Sequence, residues 1–555
     1  MIVEYTRYRI PEDRRTAFIE AYGKAAEYLK ASPDCVAYEL AQCAEEADRF
    51  ILRIEWNPFR NISKATGRVL VLRTFSNSSN PSFMTSRKCS TMNRRALLTA
   101  FFCFSSLSPS TALSQQRPAF QPFRYDEDWS VFADASLHTD ALDSLKYIRL
   151  GPAAWFVTLG GEARERFERL DQPGFGVGPV DQNGYSLQRY LLSADFHFGQ
   201  RFRFFTELQS GLENGRNGGP RPTDADTLDM HQAFVDWNLF SGREDSVTLR
   251  VGRQEIGFGS GRLISAAEGL NLRRSLDGAR LIVKTGKLLW NATALRLVRT
   301  NPGIFDDSPD HTQTYWGVGV VAPHPIWRGA NFSLHYHGLA RKNVVFEKGV
   351  GRAIRETVGL RTWKAIESWE FNYEGFIQWG SFRGAPIRAW ALAEETGYTV
   401  VHARLRPRLG IRADIASGDR GQSTRTLGSF DPLFPAAPVY SGPSGLLGPT
   451  NLIDLTPTVR LRSSSSVTWT LESSTFWRES LDDGVYGPSI APIRMGHPNE
   501  GRYVATAPSA TIAWQANHHL STTLIFTHFF TGGFFRNALP DRNVNYLAAS
   551  LFYRF

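Results

Sequence analysis

The sequence predicts an all-β protein: a large transmembrane antiparallel β-barrel, preceded by a partial α+β, ferredoxin-like fragment. Apolar and polar side chains alternate with period two over long stretches of the second half. A stretch with the layout of a secretory signal lies inside the chain, and the last strand-like run ends on Phe555.

At 555 residues the chain exceeds one ordinary domain. Aromatics make up 13% of it and glycines number 47. The second half reads as many short segments ending at Gly, Pro, Asn or Asp, which is the pattern of strands and turns. A mean hydropathy of -0.28 is too polar for a helical membrane protein. A barrel escapes that objection because only alternate residues face lipid. No apolar run long enough for a transmembrane helix occurs after residue 115. All four cysteines (Cys35, Cys43, Cys89 and Cys103) precede residue 115, so the larger part has neither a disulfide scaffold nor a cysteine metal site.

Residues 1–56 read β-α-β-β. A strand-like run from Ile2 to Ile10 precedes an amphipathic helical stretch from Pro11 to Ala31, with Phe18, Tyr22, Ala25, Ala26 and Leu29 on one face. Strand-like pieces from Cys35 to Cys43 and from Arg49 to Trp56 follow, completing half of a ferredoxin-like fold. Met1 to Ile10, Ser32-Pro33, Tyr38-Glu39-Leu40 and Phe50 to Trp56 resemble the antibiotic-biosynthesis-monooxygenase family. The resemblance implies small αβ-barrel dimers, some of which oxidise aromatic or haem substrates without a separate cofactor. It stops at Trp56, where a second helix and a final strand should follow, so the segment is read as truncated and inactive.

Residues 57–91, with Ser, Asn, Arg and Thr and no amphipathic period, read as a linker. Residues 92–114 carry the signal: Arg94 and Arg95 are basic, Ala96 to Leu107 apolar, and Ala112-Leu113-Ser114 ends in small residues. The alternative for this stretch is a short buried helix. A signal there implies export from an internal start, a reading frame joined to another upstream of Met84 or Met92, and a mature barrel over residues 115–555.

Alternation defines the barrel strands. In Trp369–Trp379, Trp369, Phe371, Tyr373, Ile377 and Trp379 share one face and Glu370, Asn372, Glu374 and Gln378 the other, with only Gly375 and Phe376 breaking the rule. Two tryptophans ten residues apart span about 33 Å of strand. At a tilt of about 40° this projects to roughly 25 Å, the height of the apolar band between aromatic girdles. Segments 201–213, 156–168, 467–477 and 546–555 repeat the pattern. A last strand ending in an aromatic resembles the signal read by the barrel-assembly machinery of outer membranes. Division of 441 residues by the length of such strands with their loops predicts about 16 to 22 strands, enough to leave an aqueous channel.

After residue 115 there are 41 Arg, 6 Lys and 43 acidic residues. The pI of 9.4 raises nucleic-acid binding, but the basic residues are interleaved with acid and form no dense run, which argues against it. On faces opposite the apolar residues, Arg189, Arg203, Arg361, Arg404, Arg406, Arg408, Arg412, Arg460 and Arg462 accumulate beside Asp195, Glu207, Glu370, Glu374 and Asp414. Such arginines either line a pore that prefers anions or pair with the lumen acids to stiffen its wall.

Two stretches carry a second resemblance: Leu249 to Arg262 with Glu268 to Arg280, and Ser417-Gly418-Asp419 with Phe430 to Pro435 and Leu446 to Leu455. Both resemble the alginate-export outer-membrane family. The resemblance implies an 18-stranded barrel, the best-known member exporting a polyuronate through an arginine-lined pore, and adds Arg253, Arg262 and Arg280 to the pore-lining candidates. The expected function is a bacterial outer-membrane channel for anionic solutes or an anionic polysaccharide, lipid-embedded, without catalysis or cofactor. Rival readings are an adhesin or structural barrel without transport, and a cytoplasmic monooxygenase-type fusion. A lipase has only His518, His519 and Ser521 as loose candidates, and a folded plug has few residues available before the first strand.

Overall fold

The computed structural model describes residues 2–10, 35–42 and 49–56 with parts of the stretch between them, and residues 117–555 apart from 153, 179, 181–182, 367, 422–424, 437, 497–500 and 538–539. The linker at 57–91 and the signal stretch at 92–114 lie outside the described residues. Two compact units divide the chain, residues 1–99 and residues 100–555.

In the first unit, Ile2–Arg9, Cys35–Gln42 and Arg49–Trp56 form an antiparallel sheet with Arg49–Trp56 in the middle. Leu52 and Ile54 on that central strand are buried, with Tyr8, Tyr22, Tyr38 and Leu40 packed against them. Among the described residues of the expected helix, Phe18 bridges Tyr8 and Phe50 at ring distances of 5.1 and 5.2 Å.

In the second unit, eighteen antiparallel strands close a barrel. They run from Trp155–Leu170 to Val544–Arg554, and these two strands pair to close it, with Phe167 opposite Ala549. Phe555 extends this seam by exchanging two backbone hydrogen bonds of 3.0 Å with Gly161. A Cβ at Gly161 would push the Phe555 ring aside.

The connections sort by length. Turns such as 199–201, 286–287, 463–466 and 516–519 lie at the end that carries Trp155 and Phe555. The long connections 171–184, 255–275, 300–312, 417–451 and 479–502 lie at the other end. Outward residues form the belt expected of a lipid-facing wall. Trp155, Trp237, Trp290, Trp369, Trp469 and Trp514 are exposed toward the short-turn end, Phe167, Trp379 and Phe530 toward the long-loop end, and Leu192, Val251, Leu360, Ile377 and Leu471 between them. Aromatic girdles flanking an aliphatic band mark the two interfaces of a bilayer.

Folded segments enter the interior. Residues 255–275 and 417–451 turn inward from the long-loop end, and Ile264, Phe430, Leu433 and Phe434 join inward-facing Tyr315, Phe346, Phe376 and Phe382 in one apolar cluster. Phe376, the break in the alternation of its strand, is thereby explained, since it faces inward against Phe430 and His335, both with ring centroids 6.1 Å away. Opposite the second segment the wall carries Ala389, Ala391 and Ala393, all buried, which leave it room. The stretch before the first strand also enters. Tyr125 donates to the Glu255 carbonyl at 2.8 Å and stacks edge-on against Phe205 and Phe234.

Candidate functional site

The lumen wall is built from side chains that alternation turns inward, and its arginines fall into two groups. The first group clamps the segments that enter the barrel or pairs within its wall. Arg189 donates to Glu162 on the neighbouring strand at 2.6 and 2.9 Å, and also to Glu268 and to the Leu270 carbonyl of the inserted segment. Arg203 holds Asp195 with two 2.7 Å bonds and donates to the Tyr125 carbonyl. Arg262, itself on the inserted segment, reaches the wall at Asp414, 3.3 Å away. Arg361 pairs with Glu374 at 3.1 Å and donates to Asn372. Arg412 lies 3.2 Å from Asp454 and 3.7 Å from Asp414. Such bidentate and buried pairs fix position, because a guanidinium left without its carboxylate in a dry interior is costly.

The second group gathers at the short-turn end. Arg408 and Arg460 stand directly opposite each other on adjacent strands, and Arg462 follows two residues on, on the same face. Arg408 is held by Glu370 and Glu395. No hydrogen bond is found for Arg460 among the described residues, and its charge is offset across space by Glu370, Glu395 and Glu472. The turn 400–407 joins this rim through the Leu405 carbonyl, which accepts from the Arg462 backbone at 2.8 Å. Arg280, farther along the wall, donates to Asn291 at 2.7 and 3.0 Å and lies over the Phe258 ring.

Three expected positions differ from their sequence reading. Arg404 and Arg406 are not on a strand face but in the turn 400–407, where Arg406 takes a positive φ of 43°. Pro407 supplies no N–H and the ladder begins only at Arg408. Arg253 shares the outward side of its strand with exposed Val251, and its side chain is taken up by Asp277 at 2.9 Å and by the Met230 and Asp307 carbonyls. Glu207 faces inward and is buried, accepting from Gln232 at 2.9 Å.

Against this geometry the comparisons are decisive. The model of the alginate-export family matches residues 156–550, most of the chain and nearly the whole barrel. The chain belongs to the alginate-export family. Its barrel is a channel-type scaffold of the bacterial outer membrane. Residues 1–57 match the model of the antibiotic biosynthesis monooxygenase family. No curated protein matches the sequence. Among solved structures, Pseudomonas aeruginosa OccK9 (OpdG) is 13% identical, covering 72% of this chain and 98% of that one at a TM-score of 0.50. OccD3 (OpdP) of the same organism is 12% identical over 74% and 92% at 0.49. OccK2 (OpdF), solved in complex with glucuronate, is 11% identical over 72% and 98% at 0.47. At these identities the likeness concerns the fold.

The two sequence stretches that resembled the alginate-export family cover much of the two segments folded into the lumen and the strand ends that flank them. Sequence reading missed several of their clamps. Arg164 donates to the Leu270 carbonyl at 2.7 Å and to Asn271 at 3.0 Å. Arg250 binds Asp236 twice, with its guanidinium 3.9 Å from the Phe234 ring. Arg273 holds Glu255, and Arg341 holds Asp431. Arg164 and Arg250 share strand parity with polar inward neighbours, a signal available in the sequence. The partners of Arg273 and Arg341 follow only from how the loops fold.

Proposed function

We propose that this barrel passes anionic solutes, or an anionic polysaccharide such as a polyuronate, across the outer membrane. What supports this reading is the rim at the short-turn end, where Arg408 and Arg460 stand opposite each other, Arg462 follows on the same face and Arg404 and Arg406 lie in the adjoining turn, while Glu370 and Glu395 hold Arg408. The inserted segments narrow the lumen, so a permeating ion passes these guanidiniums at short range and in a medium less screening than bulk water. Arg280, with its neutral Asn291 partner, adds a second positive point along the wall. The remaining lumen arginines are clamps and contribute little net field.

The test is the reversal potential of purified protein in a planar bilayer under a shallow salt gradient, at low ionic strength because the Debye length is only about 10 Å at 0.1 M. Chloride is expected to permeate in preference to potassium, and Arg460→Glu with Arg462→Glu to weaken or invert that preference. Cation selectivity in the unmodified protein would overturn the reading, and a barrel without conductance would favour adhesion.

The same reading assigns residues 92–114 as the export signal, residues 115–555 as the mature barrel and Phe555 as its address for the assembly machinery. It holds residues 1–56 to be enzymatically inactive, supported by a family match that ends at residue 57. Expression of residues 1–83 alone, followed by circular dichroism, tests the last point. A cooperative thermal transition would mark a complete domain and refute it.

A further inference from the structure

The long-loop rim holds a group of acids that the channel reading leaves unused. Asp226 and Asp229 open the strand Asp226–Ser241, and Asp307 lies in the connection 300–312. That connection reaches back across two intervening strands to bridge Ile304 with Leu228. One carboxylate oxygen from each of the three acids lies within 4.8 Å of the others.

Their hydrogen bonding is uneven. Asp229 accepts from the backbone of Met230 at 2.7 Å and of Asp307 at 2.9 Å. Asp307 accepts from the backbone of Asn301 at 2.7 Å. Asp226 is only 1% exposed, yet neither of its oxygens has a hydrogen-bond partner. The nearest base, Arg253, stays 3.8 Å from Asp229 and spends its fork on Asp277. Asp306 adds a fourth acid beside the loop. A buried carboxylate with neither a donor nor a counter-ion is strongly disfavoured, and converging like charges make it more so. Such a carboxyl either keeps its proton or takes a compact cation.

We propose that Asp226, Asp229 and Asp307 form a calcium site that pins the 300–312 connection to the outer rim of the barrel. The donors are all oxygens, which suits a hard cation. Two unoccupied oxygens on Asp226 allow bidentate ligation, and the irregular loop tolerates the flexible geometry that calcium accepts and magnesium does not. Nitrogen or sulfur ligands, which a transition metal would prefer, are absent from this cluster. Longer loops face the outside in outer-membrane barrels, where an affinity of about 10⁻⁴ to 10⁻³ M, as in extracellular modules, is sufficient.

The experiment uses the full barrel refolded in detergent, free of lipopolysaccharide, and stripped with EGTA. Calorimetric titration with calcium chloride should show saturable binding in that range, and magnesium should bind more weakly. Asp226→Asn should cost about tenfold or more in affinity, since affinity follows ligand charge. Because Asp226→Asn sits at a strand start, Asp307→Asn on the loop is the second variant, and circular dichroism confirms that both barrels fold. A second readout is tryptic cleavage after exposed Arg299, which calcium should slow several-fold in the unmodified protein and not in either variant. Absence of binding up to millimolar calcium, or unaltered binding in both variants, would overturn the proposal.

Discussion

Arg262 and Asp414 lie 152 positions apart in the chain and 3.3 Å apart in the barrel. One belongs to a segment folded into the lumen, the other to the wall, and Arg262 is only 1% exposed. Tyr440 of the second inserted segment donates to the Arg262 carbonyl at 2.8 Å, so a single residue ties both insertions to the strand Arg408–Ala416. Arg262→Ala removes one partner of a buried pair, a change that costs about 3–5 kcal/mol where no other charge compensates. Arg412, 3.7 Å from Asp414, brings the expected loss toward the lower end. Thermal unfolding should fall by several degrees, and single-channel current should become larger and noisier. Arg262→Met with Asp414→Leu should recover stability. An unchanged current trace in a folded Arg262→Ala barrel would refute the latch.

Substrate class is open to competition. A polyuronate carries one carboxylate per sugar, so it should engage the Arg404–Arg462 rim where a neutral glucan cannot. Current through the unmodified channel should be blocked by oligouronate at a concentration about tenfold lower than by a glucan of equal length, a difference of about 1.4 kcal/mol. Arg460→Gln should narrow the gap. Equal block by both polymers would detach the polysaccharide reading from the anion reading.

Export from the internal signal predicts the chemical start of the mature protein. N-terminal sequencing of barrel recovered from outer membranes should begin near Gln115. Recovery of a membrane-inserted form that retains residues 1–56 would defeat this assignment.

Much of the barrel was legible because a strand has a period of two, and that period sorts side chains whatever the chain does elsewhere. Trp369 and Trp379 were readable as two ends of one membrane crossing, and both are exposed on the outer wall. Phe376 looked like an error in that pattern, and it is the residue that meets the inserted segment. Parity has no meaning inside a turn, so Arg404 and Arg406 were misplaced onto a face. The inward folding of 255–275 and 417–451 was hidden because Gly, Asn and Asp in a loop look alike whether the loop meets water or a lumen. The inward run of Ala389, Ala391 and Ala393 was the available sign, since a wall facing open water has no need of small residues.

Acidification should loosen the segment before the first strand. Asp140 on that segment receives His518 at 2.7 Å and His519 at 3.1 Å from the turn 516–519, together with Arg117 at 3.0 Å. Burial alone would raise the Asp140 pKa, but these donors hold it well below the usual carboxylate range. For His518, burial disfavours the imidazolium and, with repulsion from Arg117 and His519, outweighs the attraction of Asp140, so its pKa is lowered. A histidine with a depressed pKa adds stability above its unfolded value of about 6.5, and that stability is lost as pH falls through it. The Asp140 contribution persists until pH drops below about 4. Between pH 7.5 and 5 the loss therefore comes from His518, and only below that from Asp140. Hydrogen exchange of residues 117–150, corrected for intrinsic rates, should show protection falling over the first interval. His518→Asn should flatten that dependence while leaving protection of the barrel strands intact. Protection that rises on acidification would mean that the Asp140 charge, and not burial, governs His518.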